Sequence, residues 1–285
     1  MNIDLLCVEC IVNQAKRVGD TLGVDKVTSQ KLVNTALEMS NDFSFSKTPP
    51  EVATPVYEKM AEILGTDDIY KEIKKRSTQK AQSFVPFLEQ TLQNSDNLFV
   101  DATKMAVAGN VIDLASEISF DLQEELEKIF HTDFAIDNTE ELYTLLKKAT
   151  NVVVLGDNVG EHLFDKLYIQ TLQKLFPHVT FYYFVRGKPI INDVTLKEAE
   201  EIGFEQVCKV IDSGVPTPGF TYKLATKEAQ QLFDDADVVI SKGMGNYECL
   251  SPSHKSPIFF LLKIKCQVVS ASLGKEVGSI ICSQN

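Results

Sequence analysis

Three fragments in the C-terminal half carry the residue types that metal-assisted chemistry needs: Gly156-Asp157-Asn158-Val159-Gly160-Glu161, Arg186-Gly187-Lys188-Pro189-Ile190-Ile191-Asn192-Asp193, and Ser241-Lys242-Gly243-Met244-Gly245-Asn246-Tyr247-Glu248. Asp157, Asn158 and Asp193 offer hard oxygen donors. A small divalent cation such as Mg2+ or Mn2+ takes such a set while keeping several waters. Two carboxylates nearly neutralise the ion and the amide adds a third oxygen. Lys242 and Arg186 supply cationic donors for phosphate oxygens, and the glycines at 156, 160, 243 and 245 let backbone N–H groups approach an anion at a helix start. Each fragment also has a plain structural reading. Asp157-Asn158 beside glycine is ordinary turn chemistry, Asn192-Asp193 can cap a helix, and a lone lysine usually sits at the surface. What favours a site is the coincidence of all three fragments at one edge of a sheet.

That edge follows from the elements expected around the fragments. From Asn151 onward the chain alternates between strand and helix patterns. The predicted strands are 152–155, 179–185, 207–211, 238–240 and 267–269, with helices around 161–176, 195–202 and 224–234. Repeated βαβ units imply a mostly parallel sheet, whose carboxyl ends carry Asp157/Asn158, Arg186 with Asp193, Asp212 and Lys242. Before residue 96 apolar residues recur at helical spacing instead. The clearest helix there starts at Pro49-Pro50 and ends before Gly65, with Val52, Val56, Met60 and Leu64 inward. Another is expected over 69–92, kinked or broken at Pro86. The expected fold class is therefore α/β: a Rossmann-like, mostly parallel sheet with flanking helices over 97–285, plus an all-helical subdomain over 1–96.

Composition excludes several classes. The 285 residues are 44% hydrophobic and 24% charged, a globular balance. Lys plus Arg is 28 against 40 for Asp plus Glu, a formal net charge of −12. Such a chain lacks the basic stripe of a nucleic-acid binder and is repelled by anionic membranes. A phosphorylated ligand then needs a local positive pocket. The start, Met1-Asn2-Ile3-Asp4, does not read as a signal peptide, and the apolar run from Pro257 to Leu262 is too short to span a bilayer. With six scattered cysteines, no disulfide scaffold is expected, and the reading is a cytosolic protein in a reducing compartment.

Other candidates are less specific. Cys7 and Cys10 share a helix face, as packed thiols or as a metal or redox pair that Cys266 could join. Gly109 interrupts an apolar helical pattern, and nearby Asn110 and Asp113 either line a site or pack a helix. The four histidines lack metal spacing, so no histidine ligand is expected. Gly243-x-Gly245-x-x-Glu248 lacks the third glycine of a dinucleotide loop.

The sequence resembles the metal-dependent damage-control phosphatases, which share the metal-binding domain of the acidic residue methyltransferase. The matching features are Cys7-x-x-Cys10, Gly109-Asn110-x-x-Asp113, Asp157-Asn158-x-Gly160-Glu161, Arg186-Gly187-x-Pro189-Ile190-x-Asn192-Asp193-x-Thr195, Lys242-Gly243-x-Gly245-Asn246-x-Glu248 and Lys265-Cys266. They run through most of the chain in family order, and the cysteine pair resembles the stand-alone prokaryotic branch. The resemblance implies a divalent metal (Mg2+, Mn2+, Co2+ or Ni2+) on Asp157, Asn158 and Asp193. It also implies phosphate binding by Lys242, a site lined by Glu161, Arg186 and Asn192, and hydrolysis of monoesters such as sugar phosphates or pantetheine-type phosphates. Met244 stands where glutamine is common, and Val159 where alanine is.

The expected protein is a metal-dependent phosphomonoester hydrolase acting on small phosphorylated metabolites, with Asp157, Asp193 and Lys242 at the chemistry and no nucleic-acid or membrane partner. Val159 occupies the second acid's place in the Asp-x-Asp of aspartyl-phosphate phosphatases, which favours water as nucleophile. Two other readings are an S-adenosylmethionine-dependent carboxyl methyltransferase, poorly served by the loop Gly156 to Gly160, and a non-catalytic, metal-dependent binding protein for phosphorylated metabolites. The sequence leaves the oligomeric state open.

Overall fold

The computed structural model describes residues 1–111, 122–253, 255 and 257–285. Four helices open the chain: α1 (Leu5–Leu22), α2 (Lys26–Ser40), α3 (Pro49–Leu64) and α4 (Lys71–Gln93). α1 starts where the Asp4 side chain accepts from Leu6 N, and buries Cys7, Ile11, Ala15 and Val18. α3 has the limits expected of it, with a capping box between Thr48 and Glu51, Pro49-Pro50 in its first turn and Gly65 just past its end. These three helices bury one apolar cluster that includes Leu32, Val56 and Met60, and Ile190 from the α/β part joins it.

α4 runs unbroken through Pro86, where the sequence predicts a kink or break. Proline removes one i→i−4 bond, but Ala81 before it and Leu88 and Leu92 after it are all held in the core of the sheet layer. Tertiary burial on both sides of the proline keeps the helix whole. The second half of α4 therefore packs with α5 (Leu98–Val111) and α8 (Glu161–Leu175), while α1 to α3 form their own cluster.

The remaining elements are α6 (Leu122–Phe130), α7 (Thr139–Leu146), α9 (Leu196–Glu201), α10 (Lys227–Asp235), α11 (Gly243–Leu250) and α12 (Gln267–Leu273), with strands β1 (Ile136–Asp137), β2 (Asn151–Leu155), β3 (Thr180–Val185), β4 (Lys209–Asp212), β5 (Val238–Lys242), β6 (Ile258–Lys263) and β7 (Ile280–Gln284). The sheet order is β1-β7-β6-β5-β2-β3-β4. Every pairing is parallel except β6 with β7. Alternate residues of β2 point to opposite faces: Val152 and Val154 enter the core shared with α5 and α8, and Val153 and Leu155 the core shared with α10 and α11.

The predicted strand at 267–269 is a helix. Cys266 caps α12, its Sγ accepting from Val269 N at 3.4 Å, and the short β-branched run winds behind it. The strand at that place is β6, built from the apolar run 258–262. From β2 the chain moves outward through β3 and β4, then crosses to β5 on the other side of β2. Open α/β sheets bind ligands outside the strand ends at such a reversal.

Candidate functional site

The loops after β2 and β3 are fastened to each other. Val159 N donates to Asn192 O at 2.8 Å and Val194 N to Asp157 O at 2.9 Å, and Asn158 and Asp193 form an isolated antiparallel bridge. Asp157 and Asn158 are thus set against Asp193 although 35 residues separate the fragments' acidic ends. Ile191 has a φ of 45°, a conformation that a β-branched residue adopts only when its surroundings enforce it. It lies in the turn that delivers Asn192 and Asp193.

Arg186 sits behind this pair and is 1% exposed. Its Nε donates to Asp193 Oδ2 at 2.7 Å, its Nη2 donates to Asn246 Oδ1 at 3.1 Å, and Nη2 lies 4.0 Å from Asp157 Oδ1. Asn246 is fixed in turn, since its Nδ2 donates to Gly156 O and Lys242 O and its Oδ1 accepts from Phe220 N. The guanidinium is a buried counter-ion that orients the carboxylates. Gly243, at the start of α11, has a φ of +75°, and a Cβ there would overlap the Asp157 carboxylate.

Lys242 is 0% exposed, and its Nζ donates to Glu161 Oε1 at 2.6 Å and to Asp165 Oδ1. Tyr183 OH donates to the other Asp165 oxygen at 2.9 Å. Burial alone would lower the Lys242 ammonium, but Asp165 and Glu161 together raise it; burial pushes Asp165 up to about 6 against the pull of Lys242. Gly109 lets α5 pass Glu161, whose Cγ would lie 2.7 Å from a Cβ at 109. Close packing explains that glycine.

In front of Asp157, Asn158, Asn192 and Asp193 opens a cavity of about 460 Å3. Its walls come from α1 (Leu6, Cys7, Cys10), the start of α3 (Pro49, Pro50), α11 (Met244, Glu248) and the α12 cap with Lys265 and Cys266. Lys242, Arg186 and Glu161, expected on sequence grounds to touch substrate, do not line it. Among the described residues the cation that does is Lys265, exposed and close enough that its charge lowers Asp157. The sequence reading holds Lys265 only in the Lys265-Cys266 match and gives it no role, because β6, which ends two residues before it, went unrecognised as a strand. Asp113 lies outside the described residues, as does the side chain of Asn110, which sits in the last turn of α5. His162 is buried, with Nδ1 accepting from Gly160 N and Nε2 without a partner among the described residues. All six cysteines are free thiols; Cys7 is buried and Cys10 exposed, and Cys266 joins them at the cavity.

Among the described residues four carboxylates, Asp157, Glu161, Asp165 and Asp193, are buried in this region, with Arg186 bonded to Asp193, Lys242 bonded to Glu161 and Asp165, and the charge of Lys74 also acting on Asp193. Burial, then the charges of Glu161 and Asp193, push Asp157 well above the usual carboxylate range, and burial raises Asp193 against the opposing Arg186. Asn158 Nδ2 donates to Asp157 Oδ2 at 2.9 Å, which leaves its amide oxygen for a ligand. Among the described residues no three His, Cys, Asp or Glu side chains form a closed metal cage. Two carboxylates with one amide fit a hard cation that keeps water positions open. Among the described residues no helix is long and apolar enough to cross a membrane.

The family model described as the damage-control phosphatase ARMT1-like domain matches residues 3–281. A damage-control phosphatase of Pyrococcus horikoshii is 32% identical over 287 residues, covering 100% of this chain and 99% of the relative. One of Archaeoglobus fulgidus is 28% identical, covering 99% of this chain and 98% of the relative. The crystal structure of a DUF89 family protein from Pyrococcus horikoshii superposes with a TM-score of 0.92 at 32% identity, covering 100% of this chain and 99% of that one.

Proposed function

Because the chain belongs to the damage-control phosphatase ARMT1-like family, we propose that it is a metal-dependent phosphatase that hydrolyses phosphate monoesters of small metabolites. The observation that carries the reading is the convergence of two buried carboxylates and an amide, Asp157, Asp193 and Asn158, at the mouth of a cavity lined by Lys265. Those three residues would hold the metal. When bound, a divalent ion supplies Lewis acidity and charge neutralisation at the phosphoryl oxygens.

The chain's own groups account for the rest. Arg186 holds Asp193 through a charge-assisted bond and spends its second bond on Asn246, so it positions a carboxylate instead of meeting phosphate. Lys242 keeps Glu161 and Asp165 compensated beneath the site. Lys265 meets the phosphate and counters the charge that develops as the ester bond to the alcohol breaks. The start of α11 directs backbone N–H groups toward the same place, where an anion is stabilised. Water is the nucleophile: its oxygen bonds to phosphorus, the alkoxide leaves, and the proton of the water ends on the alcohol.

The test is phosphate release from a panel of metabolite monoesters, including sugar phosphates and pantetheine-type phosphates, with Mg2+, Mn2+, Co2+ or Ni2+ supplied in turn. Wild type and Asp193→Ala are run side by side. Release by the wild type that needs added metal and falls by about 10²-fold or more in the variant supports the reading. No release from any ester with any metal ends it.

A further inference from the structure

Among the described residues the cavity contains one carboxylate that this chemistry does not use. Glu248 lines it together with Met244 and Gly245, four and three residues earlier on α11 and so on the same helix face. Among the described residues no hydrogen bond or ion pair reaches its carboxylate; burial pushes it up to about 7, opposed by the Met1 ammonium. That ammonium is bonded elsewhere, to the Glu248 main-chain carbonyl and to Ser251 Oγ. The cavity's lysine does not compensate Glu248 either: Lys265 acts on Asp157 and is absent from the charges that act on Glu248. What lies within electrostatic reach is thiol, since the charge of Glu248 raises Cys7 and Cys266.

A half-buried carboxylate on the wall of a ligand-sized cavity, with no hydrogen bond or ion pair among the described residues and only the charge of the Met1 ammonium, itself bonded elsewhere, opposing its burial, is desolvated with little in return. Groups in that position are satisfied by what binds. We propose that Glu248 is a specificity-determining residue that receives an ammonium on the alcohol portion of the substrate, so that the preferred phosphate monoesters are amine-bearing. This rests on the phosphatase reading of the same cavity. A hydroxyl would offer Glu248 a hydrogen bond but no charge, and the surrounding thiols and apolar side chains offer none either. An ammonium supplies both, at the part of the cavity where Lys265 does not compete.

The experiment compares ester pairs that differ in this one group: O-phosphoethanolamine against 2-hydroxyethyl phosphate, and glucosamine 6-phosphate against glucose 6-phosphate, with Mn2+. For wild type kcat/KM favours the amine by about tenfold or more, and in Glu248→Gln the ratio falls to within about threefold of unity. Glu248→Asp, which keeps the charge, keeps a preference, and thermal melts establish that each variant is folded. Calorimetry with 2-aminoethylphosphonate and 2-hydroxyethylphosphonate in Mg2+ reads the same ratio without turnover. Equal affinity for the two phosphonates, or a preference that survives in Glu248→Gln, overturns the inference even if esters are hydrolysed. Tighter binding of the aminophosphonate through Glu248, with no ester hydrolysed at all, sustains it while the phosphatase reading fails.

Discussion

Replacing Gly243 by alanine asks whether the start of α11 and the Asp157 carboxylate are as closely fitted as the geometry requires. Two costs are separable, because Gly274 offers a control. Gly243 and Gly274 have φ values of +75° and +64°, but a Cβ at 274 would meet nothing within 4 Å, whereas one at 243 would overlap Asp157. The left-handed conformation costs alanine about 1–2 kcal/mol, and at Gly274 that is the whole effect, a drop in Tm of roughly 2–8 °C. At Gly243 the carboxylate or the helix start must also move by roughly 1 Å or more to restore ordinary contact. A displacement of that size in reacting groups costs about 10²-fold in rate. Metal provides a second readout, since an ion at about 100 times its Kd stabilises the folded state by about 2.7 kcal/mol, and Gly243→Ala loses most of that gain. Phosphate release and melting with and without Mn2+ are measured on both variants. If Gly243→Ala retains activity within about threefold of wild type and shows the same Mn2+ shift as Gly274→Ala, the fit of α11 against Asp157 is not what orders the site.

Four further outcomes are expected. Arg186→Met leaves Asp193 and Asp157 without their buried cation and destabilises the metal-free protein by about 3–5 kcal/mol; added Mn2+ recovers part of the lost Tm in a melt, and no recovery would count against a cation beside those carboxylates. Lys265→Ala, at an exposed position, changes stability by no more than about 0.5 kcal/mol yet lowers kcat/KM by about tenfold to a hundredfold. Lys242→Met does the reverse in kind, unfolding the protein at markedly lower denaturant because Glu161 and Asp165 are stranded, and equal Tm values for the two lysine variants would refute the division of roles. Glu248 is raised from 4.5 to about 7, so its contribution to stability is fully present below pH 4.5 and is lost as pH rises through 7, by at most about 3 kcal/mol. His162, lowered from 6.5 to about 4, has the opposite slope, so the Glu248 effect is read as the difference between wild type and Glu248→Gln in melts from pH 5 to 8; a constant difference would contradict it. Iodoacetamide modifies Cys10 ahead of Cys7 and Cys266, because Cys10 is exposed while burial raises the other two thiols; peptide mass spectrometry should place the first adduct there, with phosphate release falling in step and substrate protecting.

Much of the site was legible because its parts rest on local chemistry. Turn residues directly after β-branched runs put Asp157, Asn158 and Asp193 past strand ends, and parallel strands put those ends at one edge. What the sequence could not show was direction within a fully buried strand. All five residues of β5 are buried, so no alternation indicates whether Lys242, its last residue, points to the cavity or beneath it. For 258–262, an apolar run of that length reads equally as strand or buried helix, and without β6 the Lys265-Cys266 match had no place at the sheet edge. The Val268-Val269 pair reads as strand by propensity, and the Cys266 cap with the packing of α12 overrides it. Pro86 shows the same override, since a local penalty is outweighed by apolar burial on both flanks.

The pairing of charges is the part least accessible to sequence and the most consequential for function. Fragment by fragment, Arg186 and Lys242 look like phosphate ligands because cations beside acidic loops suit an anion. Once folded, each is already committed to carboxylates at 2.6–2.7 Å in full burial, and releasing either to reach phosphate would strand a buried negative charge. Among the described cavity-lining residues the one cation at Asp157 is Lys265. The same pairing that turns Arg186 and Lys242 toward carboxylates therefore supports the proposed placing of a metal at Asp157, Asn158 and Asp193 and of phosphate at Lys265, and it leaves Glu248 as the cavity's remaining carboxylate for the alcohol to answer.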